Sequence, residues 1–269
     1  MVEVYFHVGL GKTGSKYLQF VFFPALKGIN YIHMTRYKKS KEIIKRAGSG
    51  KFLVSREFDR QFEKEVEWFS ADFPDTGAIM VIRRHDEWIL SQYKRFIKNG
   101  HRFSFDEFFN LNNTGFFRIK HMLFYEKIKF LESHFTRKPL VLLYDELRSN
   151  PESFLDKIAA YTGTAYDKEK IRFSKKHASY NEKQLKFIYA VSRYINLIPG
   201  DSKLKKYLFV YPIRYPILYL AKYIPDRFVP DVDFMPEKEK LNEVREFFKE
   251  DWEKCVEYVK TSNEALLHR

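Results

Sequence analysis

Five short runs rich in apolar and β-branched residues, at 3–8, 30–33, 51–55, 77–82 and 139–144, punctuate the first half of this chain. Several are apolar on consecutive residues. A strand built from such a run cannot leave one face in water, so it must be covered on both sides. The covering material lies between the runs: 16–26, 58–73, 87–98 and 117–135 are longer and amphipathic at helical spacing. Strand and helix in alternation predict an α/β fold, with a central, mainly parallel sheet, right-handed crossovers and flanking helices.

The pattern changes after Tyr144. Pro151 suits the first turn of a helix running to about Tyr161 and stopped by Gly163, and Ser149 with Glu152 has capping-box spacing. Beyond it the chain reads as helices and loops: 181–197, 203–223 broken by Pro212 and Pro216, and 236–268. With no internal repeat and no long linker, the expectation is a single domain over 1–269. Its core lies at about 1–180, and a helical C-terminal region at 181–269.

A net charge of +13 favours an anionic partner. A phosphorylated nucleotide, an acidic glycan, nucleic acid and an anionic membrane face all qualify. Aromatic residues make up 18% of the chain, enough to supply walls for a base or sugar ring as well as a core. The lone Cys255 excludes an intrachain disulfide and reads as a packed thiol, which fits a reducing compartment. The histidines are scattered without metal-ligand spacing, so no metal is expected, and His7 reads as packed in its strand. No run approaches the ~20 apolar residues of a membrane span, and the N-terminus reads as a strand without the basic start of a signal peptide. The expected location is cytoplasmic, with the inner membrane face as an alternative.

In open α/β sheets ligands bind beyond the carboxyl ends of the strands, and three strand ends here carry chemistry. The first strand runs into Gly9-Leu-Gly-Lys-Thr-Gly-Ser-Lys-Tyr17 and then a helix. Glycines permit positive φ, so successive N–H groups converge, and the helix N-terminus with Lys12 and Lys16 adds positive charge. The expectation is a phosphate cradle, the alternative an ordinary βα turn with incidental lysines. It is not a Walker A loop, which ends Gly-Lys-Ser/Thr; Gly14 is followed by Ser15 and Lys16, and a lysine comes early, at Lys12. The fourth strand ends at Arg83, placed to clamp phosphate oxygens, with Ser91 about two turns along the next helix; the alternative for Arg83 is an ion pair with Asp86 or Glu87. The third strand ends Ser55-Arg-Glu57. Glu57 is a candidate general base, or else a helix cap or a partner for Arg56.

Together these residues resemble the sulfotransferases that use 3′-phosphoadenosine-5′-phosphosulfate (PAPS), especially the bacterial and carbohydrate-directed branches. The stretch from Phe6 to Gln19 is similar to the family's 5′-phosphosulfate loop, although Gly11 stands where proline is usual and Lys16 where Thr or Ser is common. Arg83 with Ser91 matches the 3′-phosphate pattern, and Ser55-Arg-Glu57 a Ser-x-Glu segment. Leu140–Leu147 with Asn150-Pro151 is similar to the late strand and its turn. The likeness covers about 3–165. It implies a P-loop-kinase-like three-layer fold and no required metal. Lys12, Thr13, Gly14, Ser15, Lys16 and Tyr17 would surround the 5′-phosphate, and Arg83 and Ser91 would hold the 3′-phosphate. Lys12 would steady the leaving oxygen while Glu57 accepts the acceptor's proton. A loop at 172–181, with Lys175, Lys176 and Ser179, would cover the nucleotide or else be a solvated basic loop.

The acceptor is a hydroxyl or amine, and the basic balance suits a glycan or glycolipid. The aromatic, aliphatic and cationic stretch 204–224 reads as a peripheral membrane contact, a buried helical hairpin or a wall of the acceptor pocket. Three rival readings remain, one of them a degenerate sulfotransferase that binds nucleotide without turnover. A nucleotide-dependent kinase would need the Gly-Lys-Ser/Thr ending and a magnesium carboxylate, for which Asp145 and Glu146 are the candidates. A non-catalytic binder of nucleic acid or acidic polymer would explain the charge, but not two separate phosphate-shaped motifs, and no nucleic-acid motif is present.

Overall fold

A computed structural model describes residues 1–171, 180–200, 202, 204 and 206–267. The stretch with Lys175, Lys176 and Ser179 lies outside the described residues. The strands are β1 (Val2–Gly9), β2 (Asn30–Ile32), β3 (Gly50–Ser55), β4 (Thr76–Ile82) and β5 (Leu140–Leu143). The helices are α1 (Ser15–Tyr17), α2 (Ser40–Ala47), α3 (Phe62–Ser70), α4 (His85–Lys98), α5 (Phe105–Phe108), α6 (Phe124–His134), α7 (Tyr144–Ser149), α8 (Pro151–Thr162), α9 (Glu182–Val191), α10 (Tyr211–Leu220), α11 (Lys238–Phe247) and α12 (Lys249–Leu267). The chain divides into two compact units, one spanning 1–88, 120–174 and 245–269, the other 89–119 and 175–244.

The first unit holds one sheet in the order β2-β3-β1-β4-β5, with every pair parallel. All of β4 is buried, as its uninterrupted apolar sequence requires. On one face Tyr5, Leu53, Ile79, Val81, Leu140 and Leu142 pack against Leu18, Phe22 and Phe23 and against Phe154, Leu155 and Ile158 of α8. On the other, the Phe6 ring lies 4.3 Å from Phe69 of α3 and stacks on Tyr37 at 5.8 Å. Each fully buried ring or leucine of this kind contributes ~1.5–3 kcal/mol. Helices on both faces of a parallel sheet make the three-layer, P-loop-kinase-like α/β fold. Because β1 connects toward β3 and β4 toward β5, the chain parts between β1 and β4, and a crevice opens at their carboxyl ends.

Several boundaries differ from those the sequence suggests. The helix expected from residue 58 begins at Phe62, because the N–H groups of Arg56 and Phe58 still donate to His7 O (3.0 Å) and Val8 O (3.3 Å) along β1. The first helix starts at Ser15 and continues as a π-helical turn, Leu18–Phe22, and a 3₁₀ turn, Phe23–Ala25. The cap of α8 is Asn150, whose side chain accepts the Ser153 N–H at 3.2 Å, while Ser149 Oγ donates instead to Asp145 O. α8 does end at Gly163.

In the second unit α5 is capped by Ser104 and Glu107, and α9 by Asn181 and Gln184, each as a reciprocal capping box. Phe96, Phe103, Phe108, Phe116 and Phe117 form one aromatic cluster. Ile188, Leu197 and Leu218 form a separate small core. Pro212 and Pro216 do not break the described stretch 206–223, which is helical throughout. Pro212 occupies the first turn of α10, where no N–H is needed, and α10 runs through Pro216.

Candidate functional site

The turn after β1 is held at several points, all within the first unit. Thr13 Oγ1 and Ser15 Oγ both donate inward to Leu10 O, at 2.5 and 2.8 Å, and both side chains are buried. Gly11 is gripped at both ends of its peptide: its N–H donates to Asp59 Oδ1 at 3.0 Å, and its carbonyl accepts from Trp88 Nε1 at 2.8 Å. Lys12 stands at φ 68° and Gly14 at φ 86°, both left-handed. At Gly14 a side chain has no room, since a Cβ would lie 2.4 Å from Leu147 Cδ2. Lys12 is partly exposed and Lys16 exposed; Tyr17, half-buried, packs on the apolar cluster under the loop. Among the described residues the N–H groups of Thr13, Gly14, Ser15 and Lys16 have no acceptor. Four successive donors at a helix start make a concavity of the kind that can take an anion.

Two carboxylates flank this loop. Because the chain beyond β3 stays extended along β1, Glu57 and Asp59 fall on the same side, two residues apart. A Cβ on Gly11 would meet Glu57 Oε2 and Asp59 Oδ1, each at 3.2 Å. Glu57 therefore stands beside the loop, together with Asp59, a companion that the sequence reading overlooked. The alternation Glu57-Phe58-Asp59 was the available signal. Behind them Lys127, buried, pairs with Glu63 at 3.0 Å. Burial lowers the Lys127 pKa, and Glu63 and Asp59 oppose that shift.

On the other side of the loop stands Tyr144, the first residue of α7. Its ring lies 3.6 Å from where a Gly14 Cβ would be, and the Arg83 guanidinium sits over that ring, 4.8 Å from its centre. Tyr144 thus joins the β1 turn to the end of β4. Arg83 also donates through Nε to Glu87 Oε2 at 3.0 Å, one of the two ion pairs considered from the sequence. Arg84 pairs with Asp86 and Glu87, which raises its pKa further. Ser91 lies on α4, in the part that belongs to the second unit, and is partly exposed.

The turn carrying Arg83 is itself braced. His85, buried, lies between the rings of Phe124 and Phe248, at 4.4 and 4.7 Å, with its Nε2 2.9 Å from Asp251 Oδ2. Asp251 also accepts the N–H groups of Phe124 and Tyr125, so one carboxylate of α12 ties the start of α4 to the start of α6. Cys255, one turn on, is buried, and burial with the nearby Asp251 pushes its thiol pKa up. His7 is buried beneath the loop, its Nδ1 2.8 Å from Ser55 Oγ, and burial lowers its pKa to about 3.

No protein-family model matches the sequence, and no curated protein matches it closely enough to count as a relative. Among solved structures the chain is similar to the crystal structure of a sulfotransferase from Alicyclobacillus acidocaldarius. The TM-score is 0.56 and the sequence identity 14%, over 99% of this chain and 96% of that one. At that identity the likeness is one of fold, and the three-layer α/β architecture is common to both.

Proposed function

We propose that this chain is a PAPS-dependent sulfotransferase that moves a sulfuryl group onto a hydroxyl or amine of a glycan or glycolipid. The observation that supports this best is the set of four acceptor-free N–H groups from Thr13 to Lys16. It has a carboxylate pair at Gly11 on one side and Tyr144 with Arg83 on the other. In this reading the donors would take a diphosphate-like anion, Arg83 a second phosphate, and Glu57 at the same strand ends the acceptor's proton.

In this reading PAPS supplies the sulfuryl group and a phosphate leaving group. The loop N–H groups and Lys12 hold the charge that grows on the leaving oxygen, in a position fixed before reaction. Thr13 and Ser15 act by shaping the loop, since their hydroxyls are turned inward to Leu10 O. Arg83 recognises the 3′-phosphate and must exchange Glu87 for it. Glu57 takes the proton from the acceptor oxygen or nitrogen as its new bond to sulfur forms. Asp59 keeps the Gly11 N–H fixed beside it. A glycolipid acceptor would bring the enzyme to a membrane surface, with 204–224 as the contacting stretch.

Isothermal titration with adenosine 3′,5′-bisphosphate, its 5′-monophosphate and ATP–magnesium tests this. The bisphosphate should bind best. Arg83→Ala should weaken the bisphosphate about tenfold or more while changing the monophosphate little. Lys12→Ala should cut turnover with a PAPS donor by ~10²-fold or more. Preference for ATP–magnesium, or full activity in both variants, would sink the reading.

A further inference from the structure

Exposed large apolar side chains are concentrated in the second unit. Tyr207, Leu208, Phe209, Leu220, Tyr223 and Phe228 are all more than half exposed, with exposures from 57% to 74%. The sequence left 204–224 open between a buried hairpin, a pocket wall and a membrane contact; this exposure argues against burial of the whole stretch.

α10 explains the pattern. One stripe, Val210, Arg214, Leu218 and Ala221, is buried, with Leu218 in the core made with Ile188 and Leu197. The opposite face, including Pro212, Ile213, Pro216, Tyr219 and Leu220, is exposed. Between Tyr207 and Ala221 the sole charged residue is the buried Arg214, so the exposed face carries no charge. A surface helix normally turns a polar face to water; one that is apolar all round has a second apolar neighbour to meet.

The charges lie at the ends of the apolar face. Lys206, Lys222, Arg227 and Arg193 each sit against an aromatic ring: Tyr211, Tyr223, Phe228 and Tyr194. From Arg193 to Phe228 there are seven Lys or Arg and two Asp. One of those, Asp226, pairs with Lys183 at 2.8 Å. A second copy of such a surface would bring like charges together. An anionic lipid surface instead takes aliphatic groups at the acyl boundary, tyrosines at headgroup level and cations at the phosphates. Among the described residues no helix is long and apolar enough to cross a membrane, so the geometry is that of lying in the interface.

We infer that the exposed face of α10, with the turns on either side of it, docks on an anionic lipid bilayer. Leu208, Phe209 and Leu220 enter the acyl boundary, and Lys206, Lys222 and Arg227 contact lipid phosphates. This deepens the reading of a glycolipid acceptor by naming the surface that meets the lipid, but it rests on observations separate from the nucleotide loop.

Vesicle co-sedimentation tests it without turnover. The full chain should bind vesicles of phosphatidylcholine with about a third phosphatidylglycerol at least ~10-fold more tightly than phosphatidylcholine alone, and lose binding in high salt. Leu208→Asp with Phe209→Asp should abolish binding. Lys222→Glu with Arg227→Glu should weaken it ~10-fold or more on the anionic vesicles. Both pairs are exposed, so circular dichroism and melting should be unchanged, and titration of adenosine 3′,5′-bisphosphate should be unaffected. Wild-type chain that stays in the supernatant with anionic vesicles overturns the proposal. So does unaltered binding by the folded variants, or sedimentation equilibrium showing a dimer that the Leu208 and Phe209 changes dissociate. None of these outcomes touches the donor-site reading, which fails separately in the nucleotide titrations.

Discussion

Gly14 shows how narrowly single positions are constrained. Its φ is +86°, and the space where a Cβ would go is filled by Leu147 Cδ2 at 2.4 Å. Gly14→Ala should therefore cost about 1–3 kcal/mol, from backbone strain and overpacking together. Chemical denaturation measures this, and Leu147→Ala in the same chain should recover part of the loss, because only the overpacking is relieved. Lys12, Gly14 and Arg83 were legible as residues because a glycine loop and a strand-end arginine have local signatures. Asp59 and Tyr144 were not: what brings them to the loop is the continuation of the β1–β3 ladder to Phe58 and the start of α7 immediately after β5. Both are long-range facts. The rejected Ser149 cap is a local matter instead: Ser149 Oγ donates back to Asp145 O, and Asn150 is the residue whose side chain accepts the Ser153 N–H.

At the scale of elements, the strands followed the sequence closely, because a run buried on both faces declares itself by composition. Helix starts followed less well. Phe58 belongs by periodicity to the next helix, yet its N–H remains committed to Val8 O, and a made hydrogen bond to β1 outweighs a weak local preference. Pro216 was read as a break because proline removes a donor, but a helix loses only one bond there and α10 continues. The link from α12 to the starts of α4 and α6 carried no sequence signal at all. It rests on Asp251, which serves His85 and the N–H groups of Phe124 and Tyr125. Asp251→Ala should destabilise the chain by about 2–4 kcal/mol, since it strands buried donors. Asp251→Asn, which keeps an acceptor, should cost less. Urea midpoints for the two variants provide the comparison.

The whole molecule should be acid-sensitive. Burial holds His7 neutral, with its pKa lowered to about 3, whereas the unfolded chain protonates this ring near pH ~6.5. Between those values the unfolded state binds the extra proton. Stability contributed by His7 is therefore intact above about pH 6.5 and declines by ~1.4 kcal/mol per unit as the pH falls toward 3. His7→Gln should be less stable than wild type at pH 7 but lose less on acidification, so their urea midpoints should converge between pH 7 and pH 4. Midpoints that fall in parallel would mean the imidazole is not held neutral. The α/β class followed from alternation alone, while the division into two units did not: the Tyr93–Phe234 ring pair joins 89–119 to 175–244, and no local pattern announces it.

Gly11 is fastened through its amide to Asp59 and through its carbonyl to Trp88. A loop pinned in both senses arrives already in shape, so little freedom is left to surrender when an anion settles there. Association with a donor analogue should then be a single fast phase in stopped-flow traces, with no slower rearrangement trailing it.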